Sequence, residues 1–133
     1  MTARKHVVLV VEDDRFDQHL ILEMLGRMEL PLDIETVPDG QAALDILAQR
    51  EVDLICLDLI LPNISGFEVC ELIRKSLGLD TPILITSHRC LPEDRALAEE
   101  TGANGYVTKP LKAPILHHEV RRLLKLDLQL VGS

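Results

Sequence analysis

Four short segments carry side chains that could do chemistry together, and each lies at the end of a short apolar run. Glu12-Asp13-Asp14 follows Val7–Val11, Asp58 follows Asp53–Leu57, Thr86-Ser87 closes the run that begins at Ile83, and Thr108-Lys109-Pro110 follows Gly105–Val107. Gathered in one place they offer three or more carboxylates, a hydroxyl and an ammonium. Two carboxylates about 4–5 Å apart repel by roughly 3–4 kcal/mol at an effective dielectric of about 20. Such a cluster needs a cation, a shared proton or a lysine among its members. Oxygen-only ligands favour a hard metal, and partly hydrated, octahedral Mg²⁺ suits a few carboxylates plus a phosphate. Any one of these acids alone reads as a turn residue or a helix cap. All of them at strand ends read as a site.

The elements that must position them follow from periodicity. Val7–Val11 reads as a strand buried on both faces. From Asp14, Phe16, Leu20, Met24 and Met28 recur at four-residue spacing, with Ile21 and Leu25 widening the stripe, which predicts a core-facing helix. Leu32–Val37 alternates apolar with acidic residues, as an edge strand does. Asp39 is placed to cap a helix running to about Arg50, with Ala43, Leu44 and Leu47 inward. Asp53–Leu57 is a third strand, and 61–66 a loop punctuated by Pro62 and Gly66.

A helix over Phe67–Leu77 turns Val69, Cys70, Ile73 and Leu77 to one face, and Pro82 opens a fourth strand, Ile83–Thr86. Pro92 suits the first turn of a helix to about Thr101, with Gly102 as its C-terminal cap. Gly105–Val107 is a fifth strand and Ala113–Leu126 the last helix. Five strand–helix units with short connections predict an α/β fold, a doubly wound five-stranded parallel sheet with helices on both faces. In such sheets ligands bind outside the carboxyl ends of the strands. The chain reads as a single domain over 1–133, with its core at about 5–127 and 128–133 a frayed tail.

Composition narrows the function. Of 133 residues 47% are apolar, enough for one good core, but only Phe16, Phe67 and Tyr106 are aromatic. An aliphatic core leaves little for base-stacking platforms. The net charge of −8 argues against direct nucleic-acid binding, which needs clustered Lys and Arg. The basic residues Lys109, Lys112, Arg121, Arg122 and Lys125 near the C-terminus read mainly as a solvated face. Cys56, Cys70 and Cys90 form no metal or disulfide pattern, which fits a reducing compartment. No apolar run approaches the roughly 20 residues needed to span a bilayer. A soluble, cytoplasmic protein without membrane insertion is expected. His117 and His118 point about 100° apart on a helix and are expected on the surface.

With VVLVVEDD at 7–14, DLICLDLILPNISG at 53–66, PILITS at 82–87 and GYVTKPL at 105–111, the chain resembles the receiver domains of two-component signalling. The resemblance covers about residues 5–127 and is most similar to stand-alone, chemotaxis-type regulators. It implies a flavodoxin-like sheet in the order 2-1-3-4-5. It also implies that Asp58 is the phosphoacceptor and that Glu12 and Asp13 hold Mg²⁺, Asp13 more directly. The metal would further take Asp58 and the backbone carbonyl of Ile60. Ser87, rather than Thr86, falls on the switch hydroxyl, Lys109 on the lysine that contacts the phosphoryl group, and Tyr106 on the switch aromatic. A cis Lys109–Pro110 peptide is implied, as X-Pro bonds allow.

The implied activity is a phosphorylation-controlled switch of protein–protein contacts through the face of helix 4, strand 5 and helix 5. It is not a classical enzyme, although phosphorylation and dephosphorylation would be self-catalysed. Implied partners are a sensor histidine kinase or histidine phosphotransfer protein and a downstream protein target, the receiver being a monomer or weak dimer. Three departures stand out. His88 follows the switch hydroxyl where the family has a small residue, and is expected to restrict access to Asp58. Ile60 is apolar where many members are polar, and Ser65 replaces a common Asp. Two other readings are a receiver excised from a larger regulator or hybrid kinase, and a receiver-like binding module that is never phosphorylated. A haloacid-dehalogenase-type phosphatase would need a DxD motif after its first strand, where this chain has Glu12-Asp13-Asp14.

Overall fold

The computed structural model describes residues 4–126, and the expected tail at 128–133 lies outside them. Ten elements alternate strictly: β1 (His6–Val11), α1 (Arg15–Gly26), β2 (Leu32–Val37), α2 (Gly40–Gln49), β3 (Leu54–Leu57), α3 (Gly66–Lys75), β4 (Ile83–Ser87), α4 (Pro92–Thr101), β5 (Gly105–Thr108) and α5 (Ala113–Leu123). The strands form one parallel sheet in the order β2-β1-β3-β4-β5, as the resemblance implied. Helix α5 stops at Leu123, three residues short of the expected Leu126, while β4 and β5 each run one residue further than expected.

Strand alternation divides the core in two. Val8 and Val10 of β1 join Leu54, Cys56, Leu84 and Val107 beneath α1 and α5. Their neighbours Leu9 and Val11 join Ile55, Leu57, Ile83 and Ile85 beneath α2, α3 and α4. Successive residues of a strand point to opposite faces, so continuous apolar runs are what a sheet covered on both sides requires.

Local chemistry sets the helix starts. Asp14, Asp39 and Ser65 each accept a hydrogen bond from a backbone N–H in the first turn of α1, α2 and α3. Gly102 closes α4 with a φ of 115°, a conformation that favours glycine.

One core expectation fails. Phe16 is 73% exposed, while Ile21, Met24, Leu25 and Met28 are buried. A strict four-residue spacing drifts about 40° per step around a helix of 3.6 residues per turn. Three steps back from Met28, Phe16 has rotated off the core-facing stripe.

Gly66 ties the loop after β3 to the start of α3. Its N–H donates to Leu59 O at 2.8 Å, and a Cβ there would overlap the Asp58 carbonyl oxygen and Leu59 Cα, both backbone. Backbone cannot move aside as a flexible side chain can. Gly66→Ala is expected to lower stability by about 1–3 kcal/mol in urea titrations. An unchanged midpoint would show that the loop has slack.

Candidate functional site

Register brings the predicted residues to one rim. Val11 pairs with Leu57 and Leu57 with Ile85, so Glu12 and Asp58 emerge side by side at the carboxyl ends of β1 and β3. Ser87 pairs with Thr108, and the Lys109 N–H donates to Ser87 O at 2.8 Å. The Lys109–Pro110 peptide is cis. Glu12, Asp13 and Asp58 each place a carboxylate oxygen within 4.8 Å of the others, with Asp13 exposed and the other two buried. This oxygen-only set, open to solvent on the Asp13 side, fits a hard divalent cation that keeps part of its hydration.

The Lys109 ammonium sits among the acids. Its Nζ donates to Glu12 Oε2 at 2.8 Å, Asp17 Oδ2 at 2.9 Å and Asp58 Oδ2 at 3.2 Å. The other Asp58 oxygen accepts the Ile60 N–H at 3.1 Å. Burial opposes the Lys109 charge, yet hydrogen bonds to Glu12 and Asp17 and the charge of Asp58 outweigh it and raise the lysine pKa. Burial pushes the Glu12 carboxyl up to about 7; the Asp58 charge adds to that rise and the Lys109 hydrogen bond opposes it.

The remaining candidates lie around this floor. Ser87 is fully buried and its Oγ accepts the Arg89 N–H at 3.2 Å. His88 is exposed and lines the cleft together with Phe16, Ile60 and Pro110. Tyr106 is half-buried, its hydroxyl donating to Arg89 O at 2.6 Å and its ring lying 4.6 Å beneath the Arg95 guanidinium.

Three contributors escaped the sequence reading. Asp17 was overlooked, although one helical turn beyond Asp13 and Asp14 brings it back over the strand ends. Arg89 links Ser87 and Tyr106 through its backbone, and its side chain pairs with buried Asp94 at 2.7 Å. No spacing signal announces that. His117, expected on the surface, is instead half-buried, with Nε2 2.7 Å from Met24 O, and so ties α5 to α1.

A doubly wound sheet with a carboxylate cluster and a lysine at its carboxyl rim defines a class, and comparison with known proteins places the chain within it. Residues 8–121 match the family model of the response regulator receiver domain, and the chain belongs to that family. It is 34% identical over 118 residues to the response regulator ArlR of Staphylococcus haemolyticus, covering 89% of this chain and 52% of that protein. It is 35% identical over 121 residues to the transcriptional regulatory protein AfsQ1 of Streptomyces coelicolor, covering 89% and 51%. The chain thus spans about half the length of the curated relatives it matches.

Among solved structures, it superposes on the Vibrio cholerae chemotaxis protein CheY4 with a TM-score of 0.82 at 26% identity, covering 90% of this chain and 99% of that one. The receiver domain of the sensor histidine kinase PA1611 from Pseudomonas aeruginosa matches with a TM-score of 0.81 at 28% identity, covering 92% and 99%. That structure has a magnesium ion coordinated in its active-site cleft. Among the described residues, no helix is long and apolar enough to cross a membrane.

The raised Glu12 pKa carries a pH dependence. Folded protein binds this proton more tightly than unfolded protein, whose carboxyl titrates near the ordinary 4.5. Without divalent cations, the contribution is therefore fully present below about 4.5 and is lost as pH rises toward about 7. The melting temperature of Glu12→Gln should fall less steeply than that of the parent across this window. Parallel slopes would assign the pH dependence to other groups.

Proposed function

We propose that Asp58 is the phosphoacceptor of this receiver and that its phosphorylation depends on Mg²⁺. The observation that supports this most directly is the placement of Asp58: one carboxylate oxygen on Lys109, and the group within reach of Glu12 and Asp13 at the floor of an open cleft. Mg²⁺, held by Asp13, Asp58 and the Ile60 carbonyl with Glu12 alongside, would supply positive charge against the phosphoryl oxygens.

Phosphoryl transfer leaves the protein little covalent work, so positioning and electrostatics dominate. An Asp58 oxygen attacks the phosphorus of a phosphohistidine on a sensor kinase or phosphotransfer protein. The new O–P bond forms as the N–P bond breaks, and the imidazole leaves with the electron pair. Lys109 donates to one phosphoryl oxygen and Ser87 to another. Water attack on the same phosphorus later releases inorganic phosphate and restores the carboxylate. The transfer and the later hydrolysis are self-catalysed in this sense.

The output follows from Arg89. Its N–H holds Ser87 and its carbonyl holds Tyr106, so drawing the Ser87 hydroxyl toward a phosphoryl group disturbs both contacts. The face of α4, β5 and α5 then shifts between two arrangements that a downstream protein can distinguish. Incubation with Mg²⁺ and a small phosphodonor should add one phosphoryl group by intact mass, and none to Asp58→Asn. A phosphoryl group gained equally by that variant would overturn the assignment.

The cleft rim sets the lifetime of the product. The Ile60 side chain is apolar and cannot orient an attacking water, and His88 stands at the entrance. The aspartyl phosphate is expected to last minutes or longer, and His88→Ala to shorten that several-fold in a phosphate-release assay. Loss within seconds, or a lifetime indifferent to His88, would contradict this account.

A further inference from the structure

Taking Asp58 as the phosphoacceptor, we infer that Asp17 is a positioning residue that restrains the Lys109 ammonium and competes with the phosphoryl group for it. An ammonium has three protons to donate. Here all three have carboxylate partners, and the two shorter contacts are to Glu12 and Asp17, at 2.8 and 2.9 Å against 3.2 Å for Asp58. Glu12 at the end of β1 and Asp17 on α1 thus take two of the ammonium's protons, and Asp58 takes the third at the longest of the three contacts.

The three partners differ in how easily they let go. The Glu12 side chain is 1% exposed and that of Asp58 8%, whereas Asp17 is 18% exposed on the first turn of α1. Releasing Glu12 would leave a buried carboxyl without its partner, which is costly. Asp58 is itself the reacting group. Only Asp17 can be rehydrated by a small rotation toward the cleft mouth. An acid in a first helical turn is ordinary, because it complements the helix dipole. That role does not require reaching Lys109, and Asp14 already caps the helix by accepting the Asp17 N–H at 2.9 Å.

A phosphoryl group on Asp58 would bring acceptor oxygens beyond the present position of Oδ2, so Lys109 must advance to meet them. The bond to Asp17 opposes that advance. Asp17 therefore favours the unphosphorylated state, and weakening its hold should favour the phosphorylated one. Asn keeps a neutral acceptor, whose hydrogen bond is roughly half as strong as that of a carboxylate.

The test is an NMR titration of the whole chain with beryllofluoride, a phosphoryl mimic, in saturating Mg²⁺. Asp17→Asn should bind about three- to tenfold more tightly than the parent. Asp14→Asn is the control, since it removes one charge from the same cleft, keeps a good cap and does not touch Lys109. It should stay within about twofold. Equal tightening in both variants would reduce the effect to general charge repulsion and overturn the inference. So would unchanged or weaker binding in Asp17→Asn, the latter being what a merely structural role produces. Failure of the parent to bind at all would overturn the phosphoacceptor reading along with the inference. Normal binding by the parent with no Asp17 effect would overturn the inference alone.

Discussion

The arrangement around Lys109 constrains most of the molecule. Its side chain is 3% exposed, and an ammonium taken from water to such a place is tolerable only if fully partnered. The carboxylates it faces are in the same position, since Glu12 and Asp58 would repel each other without it. Neither sign of charge could be buried here alone. Sheet order makes the meeting difficult, because β4 lies between β3 and β5 and separates them by about 10 Å. A long, unbranched side chain at the end of β5 can cross that gap above Ser87, whereas a short one could not. Lysine combines the required reach with a compact, three-donor head.

Holding three strand ends level to within hydrogen-bonding distance demands a rigid base. The two aliphatic clusters provide it, and every residue of β3 and β4 is buried. The scaffold is not equally firm everywhere. Helix α3 buries Gly66, Val69, Cys70 and Ile73, whereas α4 buries only Asp94 and Ala98 and leaves Leu97 42% exposed. An element with few buried apolar contacts opens or shifts at low cost. Its buried acid is also the partner of Arg89, whose backbone touches Ser87 and Tyr106. The least anchored helix is therefore wired to the most tightly held rim.

Much of this was legible in the sequence, for identifiable reasons. Strands buried on both faces appear as unbroken apolar runs, and each run ends where a polar residue must face solvent or a partner. Glu12, Asp58, Ser87 and Lys109 stand at such ends, so their convergence followed from topology. What stayed hidden depends on azimuth and on contacts across the chain. Phe16 was misplaced by a spacing that drifts around the helix. Asp17 was missed because its significance lies in the Lys109 head, 92 residues away. Arg89 acts largely through its backbone N–H and carbonyl, which every residue type but proline possesses. His117 bonds a carbonyl on another helix, and a carbonyl has no signature in the sequence.

The misplaced phenylalanine is itself informative. A net charge of −8 and an acidic cleft disfavour the long-range approach of a negatively charged partner. Close approach of such a partner therefore needs attraction of another kind. Phe16 and Ile60, 73% and 56% exposed, line that same cleft and present apolar surface beside the charged floor. Burying such surface against a partner is favourable and nearly independent of charge. A helix that spent Phe16 on its own core would gain a little stability and lose this exposed apolar surface. Acidic residues and exposed apolar side chains thus share one opening, with Lys109 beneath both.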